Sequence, residues 1–164
     1  MKLGFLILII CISNQAHSQD MRSLKFSELS KEISEDTVNI QVVNFWATWC
    51  KPCIEELPYF EFINEEYASV NIKVKLINLD FNSKVETVTL PFIKKHNLRS
   101  DLYHLTDTDP NEWINKIDPS WSGAIPATVI YSSGEKIFFK EGELSQQQLV
   151  DEIEKVLKHQ KMTE

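Results

Sequence analysis

The sequence predicts an α/β fold: a central mixed sheet flanked by helices, in the order βαβ and then ββα, with an inserted segment between the halves. Three observations predict it. An apolar run, Asn39 to Ala47, passes through Cys50-Lys51-Pro52-Cys53 into a helix-compatible stretch, and an alternating run follows from Ile72; this is the pattern of a parallel βαβ unit. Ala127 to Tyr131 is a β-branched run, and Ser133-Gly134 turns it back into Lys136 to Lys140 as a hairpin. Ser145-x-x-Gln148 is a capping box in front of Leu149, Ile153, Val156 and Leu157, which recur at helical spacing.

In chain order, Lys2, the apolar run Leu3 to Ile12 and the small residues Ala16 and Ser18 have the layout of a signal peptide cleaved after Ser18. Residues 1–18 are read as the signal and 19–164 as one domain. The apolar run is about half the ~20 residues of a spanning helix, which ranks an uncleaved anchor lower. A lipoprotein signal at Cys11 ranks lower still, because Ile10 is bulky where that signal wants a small residue. Gln19 to Lys25 has no periodicity and leads into the domain. Ser27 to Ser34 is expected to be a short helix capped by Ser27. Cys50 to Tyr67 is expected to be the motif helix, with Ile54, Leu57 and Ile63 toward the sheet and a kink at Pro58. Ile72 to Leu79 is the next strand, with Lys73 and Lys75 between its apolar positions. Lys84 to Asn97 is helical, with Val85, Val88, Phe92 and His96 near one face; Pro91 either starts its main part or bends it. Leu102 to Leu105 is a short strand, and Pro110 to Ile117 a short helix with Asp109 as cap.

A strand that enters a helix through Cys-x-x-Cys is a redox site with a mechanism. Cys50 would sit at the helix N-terminus, where unpaired N–H groups and the macrodipole favour an anion. That anion is the thiolate, the form that attacks disulfides. Cys53 lies one turn on, close enough to close a disulfide or resolve a mixed one. Once Cys11 leaves with the signal, only this pair remains, and it encloses too short a loop to staple a fold. Trp46 is expected in the core and Trp49 beside the exposed sulfur. Lys51 is either a stabiliser of the Cys50 thiolate or a solvated lysine.

Asn44-Phe45-Trp46-Ala47-Thr48-Trp49-Cys50-Lys51-Pro52-Cys53, followed by Glu56-Leu57-Pro58, resembles the thioredoxin superfamily, and within it the TlpA/ResA-like secreted thiol–disulfide oxidoreductases. The resemblance implies a thioredoxin fold and a catalytic Cys50 and Cys53. Asn44 stands where thioredoxin has a buried Asp, so the resemblance gives proton handling to Glu56. It also makes Pro126 a cis proline beside the cysteines, which frees the Ile125 backbone to pair with an extended substrate segment. Trp49, Ile125 and Pro126 are thus the substrate-binding candidates. The implied clients are disulfide-containing exported proteins of the periplasm or cell envelope, such as apocytochrome c. An upstream membrane or soluble dithiol donor would reset the pair. No cofactor and no metal is expected, and a monomer is.

Other classes fit less well. A net charge of −7 excludes a basic stripe for nucleic acid. An oxidase or isomerase direction stays open, although Lys51-Pro52 includes no histidine. Two thiolates suit Cu(I), but no His or Met is placed as a third ligand, and His96, His104 and His159 have no metal spacing. A peroxidase pattern, a lone Cys after a Pro/Thr-rich turn, is absent. Trp113 and Trp121 either shape a substrate groove or pack the insertion.

Overall fold

The computed structural model describes residues 20–35 and 40–163. The signal peptide expected over residues 1–18 lies outside them. The apolar run becomes β2 (Ile40–Trp46), the motif helix is α2 (Lys51–Glu66), and the alternating run is β3 (Ile72–Asn78). A π-helical turn, Val85–Thr89, feeds α3 (Leu90–His96), and β4 (Asp101–Leu105) follows. Asp109 caps a 3₁₀ turn, Pro110–Glu112, ahead of α4 (Ile114–Ile117). The chain closes with β5 (Ala127–Ser132), β6 (Glu135–Glu141) and α5 (Gln146–Thr163). Two elements precede all of these: β1 (Arg22–Leu24) and α1 (Phe26–Glu35).

The six strands run in the order β1-β4-β3-β2-β5-β6. The first four are mutually parallel, and β5 and β6 are antiparallel to their neighbours. This is the expected mixed sheet, βαβ then ββα. It puts β2, which carries the motif at its C-terminal end, at the centre. Ser133 and Gly134 both take positive φ, 51° and 82°, as a two-residue hairpin turn requires.

The period of β2 divides the core. Ile40, Val42 and Trp46 face α2 and α5, with Leu57, Phe60, Ile63, Leu149 and Ile153. Val43 and Phe45 face the other way, with Leu29 and Ile33 of α1 and with Trp113, Ile117 and Trp121 of the insertion. Both faces are covered, so every residue of β2 is buried. Trp113 and Trp121 pack edge to face at 5.5 Å, and Phe45 lies 4.8 Å and 5.9 Å from Trp121 and Trp113. The insertion is a lid on the second face of the sheet, and its tryptophans are packing residues rather than the wall of a groove.

Four expectations need correction. Residues 22–24, with no periodicity to read, form β1 because β4 offers an edge to pair with. Lys25, not Ser27, caps α1: its carbonyl accepts from Leu29 N–H, and Glu28 reaches back to its N–H at 2.8 Å. Half a capping box thus fixes the start, and Asp107 holds Phe26 N–H at 2.5 Å. The alternation expected over Ile72 to Leu79 breaks at Lys75, which is buried because α1 covers its face and brings Glu32 to 4.0 Å. In the α3 region the apolar face is shifted: Thr89 and Ile93 are buried while Val88 and His96 are exposed. The π turn adds a residue to the repeat and rotates the face, and Pro91 falls in the first turn of α3.

Candidate active site

Cys50 is the N-cap of α2, with extended backbone, and its sulfur accepts from Cys53 N–H at 3.3 Å. A sulfur in this position meets an orphan donor of the first turn and the positive end of the helix dipole. Pro52 occupies the first turn, where its missing N–H costs nothing. Cys50 and Cys53 are joined as a disulfide, with Cα atoms 5.3 Å apart. The strand delivers Cys50 through a tight turn, Ala47 to Cys50, closed by Cys50 N–H on the Ala47 carbonyl at 3.1 Å.

Three of the other expected site residues gather here. Trp49, at the crest of that turn, is 63% exposed. The Ile125–Pro126 bond is cis, and the Ile125 carbonyl oxygen lies 3.6 Å from Cys50 Sγ. The backbone of the loop before β5 therefore flanks the Cys50 sulfur. Lys51 projects into solvent and pairs with Glu55 at 3.5 Å, so it is a solvated helix lysine.

Glu56 points inward, one turn after Cys53, and is only 2% exposed. Asn44 Nδ2 donates to its Oε1 at 2.8 Å and the Leu144 N–H to its Oε2 at 2.9 Å. Asn44 Nδ2 also reaches Thr128 Oγ1 at 3.1 Å. Burial pushes the carboxyl up to about 7, against the lowering effect of those two hydrogen bonds; nearby Glu143 adds to the rise and Lys140 opposes it. A carboxyl poised there can exchange a proton near neutral pH.

Sequence reasoning passed over a second buried carboxylate. Asp80, just past β3, accepts from Thr48 N–H and Oγ1 at 2.9 and 3.0 Å, from Asn78 Nδ2 at 3.0 Å and from Thr89 Oγ1 at 2.6 Å. His104 is buried behind it, with Nδ1 3.2 Å from Asn78 Oδ1 and Nε2 2.7 Å from Asn82 Oδ1. The one signal available was the run of short polar residues Asn78, Asp80 and Asn82 at the C-terminal end of a parallel strand, where open α/β sheets place their sites.

Fold and site together define a thioredoxin-fold protein with a cysteine pair at the start of its motif helix. The chain belongs to the AhpC/TSA family, whose pattern it matches over residues 12–139. It is 30% identical over 87 residues to the thiol-disulfide oxidoreductase ResA of Oceanobacillus iheyensis, a match covering 49% of this chain and 44% of that protein. The chain thus spans less than half the length of that curated relative. Among solved structures it is similar to StoA from Bacillus subtilis, with 25% identity, a TM-score of 0.56, and coverage of 73% of this chain and 85% of that one. A thiol:disulfide interchange protein of the thioredoxin family from Chlorobium tepidum shares the fold at 20% identity and a TM-score of 0.59, over 78% of this chain and 84% of that one.

Proposed function

We propose that this chain is a thiol–disulfide oxidoreductase that reduces disulfides in exported proteins. The observation that carries the reading is the placement of the pair. Cys50 caps a helix with its sulfur on a backbone N–H, and one turn below Cys53 lies a buried carboxyl held near neutrality. The Cys50 thiolate attacks a client disulfide. A bond forms between Cys50 Sγ and one client sulfur, and the other client sulfur leaves as thiolate. Glu56 takes the proton of Cys53, whose thiolate attacks Cys50 Sγ. The second client sulfur departs, the two client thiolates take up the Glu56 proton and one from solvent (the one Cys50 lost on ionising), and Cys50–Cys53 is left oxidised. A dithiol donor then returns two electrons and two protons.

The reducing direction is supported by the residues between the cysteines, Lys51 and Pro52, which include no histidine. The Ile125 backbone, in the loop before β5, and the exposed Trp49 give an extended client segment a main-chain partner and an aromatic face beside the sulfur. Residues 1–18 are proposed as the export signal, which places the chain in the periplasm or cell envelope; apocytochrome c thiols are a fitting client. No helix among the described residues is long and apolar enough to cross a membrane.

The test is trapping. Wild-type protein with dithiothreitol as donor should reduce the disulfides of insulin. Cys53→Ser should stall as a mixed disulfide on Cys50, visible as a mass adduct that reductant removes, and Cys50→Ser should form none. Insulin reduction that survives in Cys50→Ser would sink the assignment.

A further inference from the structure

We infer that Asp80 is a positioning residue for the redox turn: its buried carboxylate clasps Thr48, holds the turn that presents Cys50, and sets the charge against which Cys50 ionises. This rests on the reading of Cys50 as the attacking thiol.

The geometry is specific. Thr48 is the first of the two central residues of the Ala47–Cys50 turn, and Asp80 Oδ1 takes both its backbone N–H and its hydroxyl. The strand ends are registered just before this point, because Leu79 N–H donates to the Trp46 carbonyl at 2.8 Å. The other carboxylate oxygen is held from behind. Asn78 Nδ2 donates to Oδ2, and the π turn rotates Thr89 inward so that its hydroxyl does the same. Asn78 Oδ1 in turn accepts the Asp80 N–H at 3.1 Å and faces His104. Asp80 thus joins the redox turn, the end of β3 and the start of the α3 region through four donors on one buried group. A charge at 4% exposure is costly to bury, and four donors converge on it because a carboxylate offers two acceptor oxygens where an amide of the same size offers one.

The charge has a calculable direction of effect. A carboxylate in a low-dielectric setting next to the turn opposes formation of a second anion on Cys50. The donors from Thr48 spread and partly offset that charge. Removing the charge should therefore favour the thiolate, and removing the Thr48 hydroxyl should disfavour it. A purely structural brace would produce neither effect.

The experiment is the pH profile of Cys50 alkylation by iodoacetamide in the reduced protein, read by mass spectrometry of the motif peptide for wild type, Asp80→Asn and Thr48→Val. The thiolate displaces iodide, so the rate reports the ionised fraction. Asp80→Asn should move the profile to lower pH and raise the rate at pH 7 by about threefold or more. Thr48→Val should move it the other way. Asp118→Asn, which removes a surface partner of Lys136, is the comparator and should superpose on wild type. Profiles of Asp80→Asn and Thr48→Val that also superpose on wild type, whatever their unfolding temperatures, would overturn the inference. Should Asp80→Asn fail to fold, Thr48→Val decides alone by slowing or not slowing. If the wild-type pair does not exchange with a disulfide at all, the oxidoreductase reading itself falls, which is a separate result from unchanged profiles in an active protein.

Discussion

Glu56 is two-sided by construction of its surroundings. Asn44 and Leu144 each donate to one of its oxygens, which favours the carboxylate, while burial favours the acid and prevails. The carboxyl is raised from 4.5 to about 7, so between those values the folded chain holds the proton that the unfolded chain releases. Its contribution to stability is full below about pH 4.5 and is lost as pH rises through about 7, on the order of 3 kcal/mol. Urea unfolding at pH 5 and pH 8 should show this loss in wild type and a smaller loss in Glu56→Gln. Kinetically, Glu56→Ala should slow the resolution of the mixed disulfide by roughly 10²-fold, measured by release of the second client thiol. The position of Glu56 could be read because Cys53 and Glu56 are one turn apart on the same helix. Asp80 could not. Its partner Thr48 is 32 residues away, and an Asp after a strand looks like any solvated turn residue until the sheet brings β2 and β3 side by side.

At the scale of elements, local signals that satisfy their own backbone groups were legible. The capping box is formed in both directions, Gln148 N–H to Ser145 Oγ at 3.2 Å and Ser145 N–H to Gln148 Oε1 at 3.0 Å. The Asp109 cap and the Ser133-Gly134 turn are of the same kind. The start of α1 was misplaced because its cap is completed by Asp107, on the far side of the sequence. The α3 face was misplaced because a π turn has no compositional mark, and a period of 3.6 carried through it points the wrong residues inward. Exposed caps and buried aromatics should differ in worth. Ser145→Ala should cost about 1 kcal/mol, whereas Trp121→Ala should cost roughly 3–5 kcal/mol, since Trp121 touches Phe45, Trp113 and Phe139. Chemical denaturation of both variants checks the contrast. Equal losses would mean that the insertion does not seal the second face of the sheet.

In the whole molecule, the parallel β2–β3–β4 run and the β5–β6 hairpin were legible in the sequence, whereas β1, which extends the sheet beside β4, was not. The coverage of the second sheet face was not written there. It comes from α1 and the insertion, whose residues are far apart in sequence and meet around Phe26, Phe45 and Trp113. That coverage buries Lys75 against Glu32 and places β2 between two layers. At its end, the bond between Asn44 and Glu56 ties β2 to α2, and Asp80 beside β3 holds the Ala47–Cys50 turn through Thr48. The proposed function requires that the Cys50–Cys53 pair cycle as a reductant. The most direct measurement is the Cys50–Cys53 reduction potential, by equilibration in defined thiol buffers and mass counting of free thiols. A reductant should give a value near that of thioredoxin, about −270 mV, or lower. A value near that of a strong periplasmic oxidant, about −120 mV, would contradict the proposed function and make the chain a disulfide donor.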